Sequence, residues 1–115
     1  MRRVLVTGGG SGIGRAIAHH FADEGDEVTV AGRRMSALEE TRGSRQMTCR
    51  TVDVTDEASV AALFDNPYDV VVANAGGGVT GKVAQLSLAD WNRVMAVNLT
   101  GVFLTFRAAL QNMEE

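Results

Sequence analysis

Thr7, Gly8, Gly12 and Gly14 fall in the spacing Thr-Gly-x-x-x-Gly-x-Gly, after the apolar run Val4-Leu5-Val6 and before a helical pattern. A strand, a glycine turn and a helix start in that order make a seat for a dinucleotide pyrophosphate. Glycine lets the backbone turn tightly and approach the ligand, while the helix start offers unpaired N–H groups and a positive dipole end. Two other phosphate loops are excluded by spacing. Gly-x-Gly-x-x-Gly fails because its third glycine falls on Ile13 counted from Gly8, and on Arg15 counted from Gly10. The P-loop fails because no Gly-Lys-Ser/Thr occurs and the only lysine is Lys82.

Such a loop needs strands and helices to hold it. Short, nearly continuous apolar runs predict strands over Arg3–Thr7, Glu27–Ala31, Met47–Val52 and Asp69–Ala73. Helical patterns lie between them, over Gly12–Glu24, Ser36–Thr41 and Asp56–Phe64, and a last one opens at Ser87 with Asp90 and runs on through Trp91, Val94 and Met95. Ser36 and Glu39 have capping-box spacing, Thr55 precedes the acidic pair Asp56-Glu57, and Gly25 follows the first helix. Alternating strands and helices predict an α/β fold: a Rossmann-type doubly wound parallel sheet of order 3-2-1-4. In that order Gly8–Gly14 and Asn74–Gly78 converge at the carboxyl ends of strands one and four, where the ligand crevice lies.

The bulk numbers fit one domain. The chain has 115 residues, 45% of them hydrophobic, and a net charge of -3, which gives no broad footprint for nucleic acid. Arg2 and Arg3 resemble the start of a signal peptide, but glycines soon break the apolar run that follows. No stretch approaches the length of a membrane span, so no membrane partner is expected, and a cytoplasmic setting fits. The single Cys49 rules out an internal disulfide and any Cys-x-x-Cys metal site, and it reads as a core thiol; no metal site is expected.

Four pieces, in order, make the chain resemble the classical short-chain dehydrogenase/reductase family. They are Thr7–Gly14, Asp53-Val54 after the third strand, Asn74-Ala75-Gly76 after the fourth, and Asn98 within Val97–Phe103. The resemblance implies that Gly8, Ser11, Gly12, Ile13 and Gly14 surround the pyrophosphate. It further implies that Asp53 accepts from the adenine amino group, that the Val54 backbone meets the ring, and that Asn74, Ala75 and Gly76 line the ribose side. The family's usual Asn-Asn-Ala-Gly begins here with Ala73, which puts one supporting side-chain hydrogen bond in question.

Cofactor choice is read at the end of the second strand, where an acidic residue selects NAD by binding the ribose 2′-hydroxyl. Gly32 stands there, followed by Arg33 and Arg34. Guanidinium groups suit the extra phosphate of NADP, so NADP(H) is expected, with Arg33 as the main 2′-phosphate ligand and Arg34 assisting. The alternative for this pair is solvated surface charge.

The resemblance also implies a catalytic serine, a tyrosine and a lysine four residues after that tyrosine. They are not found: Tyr68 is the only tyrosine, position 72 is Val72, and Lys82 lies fourteen residues on. Of the family's catalytic set only Asn98 is present, which in relatives interrupts a helix and holds a water joined to the lysine. The expectation is therefore a single dinucleotide-binding domain over 1–115, incomplete at its carboxyl end, from an oxidoreductase that moves hydride between a nicotinamide and a carbonyl or alcohol substrate. Glu114 and Glu115 support this, because acidic residues are unfavourable at a helix carboxyl end. The fourth strand is expected at an open edge, able to pair with a second copy or a complementing half. A non-catalytic NADP(H)-binding module and an assembly subunit are the competing readings.

Overall fold

Alternate residues of the first strand enter different cores. In the computed structural model, which describes residues 1–113, β1 (Arg3–Thr7) lies between β2 (Glu27–Gly32) and β4 (Val70–Ala73), and β3 (Met47–Thr51) pairs with β2. All three pairings are parallel, with Val6 opposite Val30 on one side and Val72 on the other. The order β3-β2-β1-β4 is the expected one. Because side chains alternate along a strand, Val4 and Val6 pack with Val28, Val30, Ala18 and Leu38 on one face, while Leu5 packs with Val52, Val60, Leu63 and Leu104 on the other. Each fully buried aliphatic side chain is worth about 1.5–3 kcal/mol, so the sheet is held from both sides.

The described residues form five α-helices: α1 (Gly12–Asp23), α2 (Met35–Arg42), α3 (Glu57–Leu63), α4 (Leu88–Met95) and α5 (Gly101–Asn112). A 3₁₀ turn spans Val83–Gln85, and a π turn, Ala96–Thr100, joins α4 to α5. Ser87 caps α4 as expected, its Oγ accepting from the Asp90 amide at 3.0 Å. Two caps differ from the sequence reading. α2 begins at Met35 with Arg34 in the cap position, so Ser36 lies inside the first turn and makes no box with Glu39. The Arg34 carbonyl already accepts from the Leu38 amide at 3.2 Å, and Leu38 is buried in the core, which sets the helix start. At α3, Asp56 is the cap, accepting from the Ser59 amide at 3.1 Å, while the Thr55 hydroxyl turns back to Asp53.

The sequence reading found no stretch of membrane-span length, and the structure corrects it. Across the π turn, α4 and α5 form one run of 25 residues, Leu88–Asn112, long and apolar enough to cross a membrane by length and composition. Scattered Asn92, Arg93, Asn98 and Arg107 hide that run from a scan for apolar segments. One face of α5, with Leu104, Thr105, Ala108 and Ala109, is buried against the sheet, whereas Leu99, Phe103, Phe106 and Leu110 are exposed. The reading of Glu114 and Glu115 lies outside the described residues.

Candidate cofactor-binding site

Thr7 fastens together the two strand ends that form the crevice. Its hydroxyl is buried, donates to the Val72 carbonyl at 3.4 Å and accepts from the amides of Asn74 and Ala75, both at 3.1 Å. Asn74 and Ala75 are thereby drawn beside Gly8, and the Asn74 Nδ2 donates to the Gly8 carbonyl at 3.3 Å. A side chain at Gly14 would strike that same carbonyl oxygen, so the close approach of helix and turn requires glycine there. At Gly12 the backbone has φ +56, a left-handed bend that swings the chain into α1. Among the described residues, no amide from Gly10 to Gly14 has a hydrogen-bond partner in the protein.

A cleft of about 440 Å³ opens in front of these amides. Gly8, Ser11, Gly12, Ile13, Arg33, Arg34, Asn74 and Gly76 all line it. A second hollow, of about 220 Å³, is lined by Arg33, Val52, Asp53 and Ser59, so Arg33 borders both. The remaining predicted residues stand behind the surface: Gly14 permits the close turn, Val54 is buried in the core, and Ala75 packs against it. The Ser11 side chain makes no cap bond, and Ile13 is 73% exposed at the cleft.

The charges are arranged for an anion beside a hydrogen-bond acceptor. Arg33 and Arg34 make no ion pair among the described residues, whereas Arg2, Arg45 and Arg50 are each held by an aspartate. Asp53 is kept below the ordinary carboxylate range. The Thr55 hydroxyl donates to its Oδ1 at 2.6 Å, the Thr55 amide donates at 3.0 Å, and the Arg33 charge adds to the effect. It is therefore an ionised acceptor at neutral pH.

Asn98 lies within the π turn, a helix interruption of the kind that the family resemblance implied. Its Oδ1 accepts from the Gly77 amide at 2.9 Å and its Nδ2 donates to the Gly77 carbonyl at 2.7 Å. A side chain on Gly76 would come within 2.9 Å of the same Oδ1. Asn98 thus pins the glycine loop that follows β4.

Two residues that sequence reasoning missed hold the glycine loop from behind. The Thr41 hydroxyl donates to the Gly9 carbonyl at 2.6 Å and accepts from Arg15 Nε at 3.0 Å, while Arg15 Nη2 donates to the Gly10 carbonyl at 2.7 Å. Arg15 directly follows the glycine motif, but Thr41 carries no sequence signal, since only the folded chain brings α2 against the loop. Tyr68 is structural: it is buried, donates to the Leu63 carbonyl at 3.0 Å and meets Phe64 edge-on. His19 ties α1 to α2 through the Thr41 carbonyl, 2.7 Å from its Nε2.

Comparison with known proteins identifies the family. The family model described as short chain dehydrogenase matches residues 2–115. An NADP-dependent (R)-specific alcohol dehydrogenase of Lentilactobacillus kefiri is 38% identical over 96% of this chain and 48% of its own length. A cis-4-hydroxycyclohexanecarboxylate dehydrogenase of Sinomonas cyclohexanicum is 40% identical over 97% of this chain and 49% of its own length. Among solved structures, an alcohol dehydrogenase from the archaeon Thermococcus sibiricus, complexed with 5-hydroxy-NADP, superposes with a TM-score of 0.87 at 30% identity, covering 97% of this chain and 53% of that one. The chain thus spans about half the length of the relatives it matches. With the glycine loop, the sheet order and the family match in agreement, this chain belongs to the short-chain dehydrogenase/reductase family.

Proposed function

We propose that this chain is the NADP(H)-binding portion of an oxidoreductase that acts on a carbonyl or alcohol substrate. The observation that carries the choice of cofactor is the pair Arg33 and Arg34. They have no ion partner among the described residues, directly follow Gly32, which stands where an NAD enzyme places an acid, and line the same cleft as the free amides of the glycine loop. The residues fit the group. Unpaired amides and the α1 amino terminus suit a pyrophosphate, the guanidinium pair suits a 2′-phosphate, and ionised Asp53 suits an amino donor on the adenine. When bound, the nicotinamide supplies the hydride chemistry. Asn74 and Gly76 border the cleft on the ribose side, and Asn98 fixes the loop beyond them. The relatives described as NADP-dependent, or solved with an NADP derivative, support the reading.

Replacing Arg33 by aspartate tests it. Among the described residues Arg33 makes no ion pair and meets Asp53 only through its charge, the least of the causes acting on that carboxyl, so stability should change by no more than about 0.5 kcal/mol. Losing two charge-assisted bonds of about 1.5–3 kcal/mol each should weaken NADPH binding about a hundredfold or more, with NADH binding little changed. Fluorescence titration that showed equal losses for both cofactors would refute the assignment.

A second reading, a module that binds NADP(H) without turnover, is favoured by Tyr68. This chain's one tyrosine is buried and committed to Leu63, so it is not placed to move a substrate proton. NADPH oxidation by this chain against a panel of aldehydes and ketones would refute that reading.

A further inference from the structure

We propose that Thr41 and Arg15 are positioning residues that set the shape of the pyrophosphate loop, and that α2 joins the two phosphate subsites into one body. The proposal rests on the NADP(H) reading above. Thr41 is fully buried in the last turn of α2, and its hydroxyl both gives a bond to the Gly9 carbonyl and takes one from Arg15 Nε. Arg15, on the first turn of α1, uses its other arm on the Gly10 carbonyl and reaches Glu40 Oε2 at 3.6 Å. In a planar trans peptide the N–H points opposite to the C=O. Holding the Gly9 carbonyl toward Thr41 therefore turns the Gly10 amide away from it, and holding the Gly10 carbonyl toward Arg15 does the same for the Ser11 amide. Those two amides have no protein partner among the described residues, and both residues line the cleft. Without the clamp the glycines are free to rotate these peptides, since glycine imposes little preference of its own.

The same helix begins beside the other subsite. Arg34 is the residue capping α2, and Arg33 precedes it, so the 2′-phosphate ligands stand at one end of α2 and the loop clamp at the other. The His19 bond to the Thr41 carbonyl and the packing of Leu38 in the core fix α2 against α1 and the sheet between these points.

The test compares NADPH, which uses both subsites, with 2′-AMP, which carries the adenine and 2′-phosphate but no pyrophosphate. On the full chain, Thr41→Val keeps the shape and removes the hydroxyl. It should weaken NADPH binding about tenfold, the value of one net buried hydrogen bond, and leave 2′-AMP binding within about twofold. Thr41→Ser, which keeps the hydroxyl, should restore NADPH affinity. A role in stability alone would lower the melting temperature without changing the ratio of the two affinities. Equal losses for NADPH and 2′-AMP, or no loss for either, would overturn the proposal. Should Thr41→Val fail to fold, Arg15→Met on a half-exposed side chain removes the donors to the Thr41 hydroxyl and the Gly10 carbonyl, the other half of the clamp, and must show the same NADPH-selective loss. If the unaltered chain binds neither ligand, the NADP(H) reading itself fails; if it binds both and the variants do not discriminate, only the clamp fails.

Discussion

Gly101→Ala should destabilise the fold although alanine is the better helix former. The run through the π turn is continuous, with Gly101 at φ -62 and ψ -40, so helix propensity alone predicts a gain of about 1 kcal/mol. Packing opposes it. A Cβ at position 101 would sit 2.7 Å from Val54 Cγ2 and 3.2 Å from Val54 Cβ. Val54 is buried and β-branched, so it has little freedom to rotate clear. Overpacking of this kind costs about 1–3 kcal/mol, which leaves a net loss of about 1 kcal/mol after the helix gain is subtracted. The displaced residue follows Asp53, so the wall of the second hollow should shift too, and NADPH affinity should fall with stability. Urea unfolding would measure the first effect as a lower midpoint at unchanged slope. A cycle with Val54→Ala should reveal a coupling of about 1 kcal/mol or more, because the smaller side chain makes room for the new methyl. Stabilisation of Gly101→Ala by the full helix gain, or a cycle with no coupling, would refute the reasoning.

Other outcomes are expected at the same site and in the core. Asn98→Ala removes both bonds to Gly77 and should cost about 1–2 kcal/mol, with loss of hydrogen-exchange protection at the Gly77 amide. Unchanged protection at that amide would show that Asn98 does not hold the loop. Cys49 has its thiol pushed up by burial, and its Sγ donates to the Leu38 carbonyl at 3.5 Å. It should therefore resist iodoacetamide at pH 8 until the chain unfolds. Since the folded value is the higher one, its contribution to stability is complete below the ordinary thiol range, about 8.5, and is lost as pH rises through the folded value. Unfolding curves from pH 7 to 10 should show this loss, and Cys49→Ala should not; matching curves would sink the argument.

Much of the fold was legible because local signals agreed. Four short apolar runs separated by helical patterns allow few arrangements once crossovers must be right-handed, and the observed order is the one those rules leave. The caps were less legible. Ser36 carried the right residue type at the right spacing, yet α2 starts earlier because burying Leu38 fixes its phase. The long run Leu88–Asn112 escaped notice because its polar residues are spread around a helix, where a linear scan averages them in.

The cleft divides along the same line. Glycine spacing determined by itself that a tight glycine turn stands after β1, because the bends at Gly8 and Gly12 and the contact at Gly14 each exclude a side chain for local reasons. The types of Arg33 and Arg34 likewise declared an anion preference, since charge is written in the residue. What aims the loop was decided only by tertiary structure. Thr41 lies 32 residues from the carbonyl it holds, and Thr7 lies 67 residues from the Asn74 amide it receives. A hydroxyl's partner depends on which backbone group folding delivers to it, and no spacing along the chain records that.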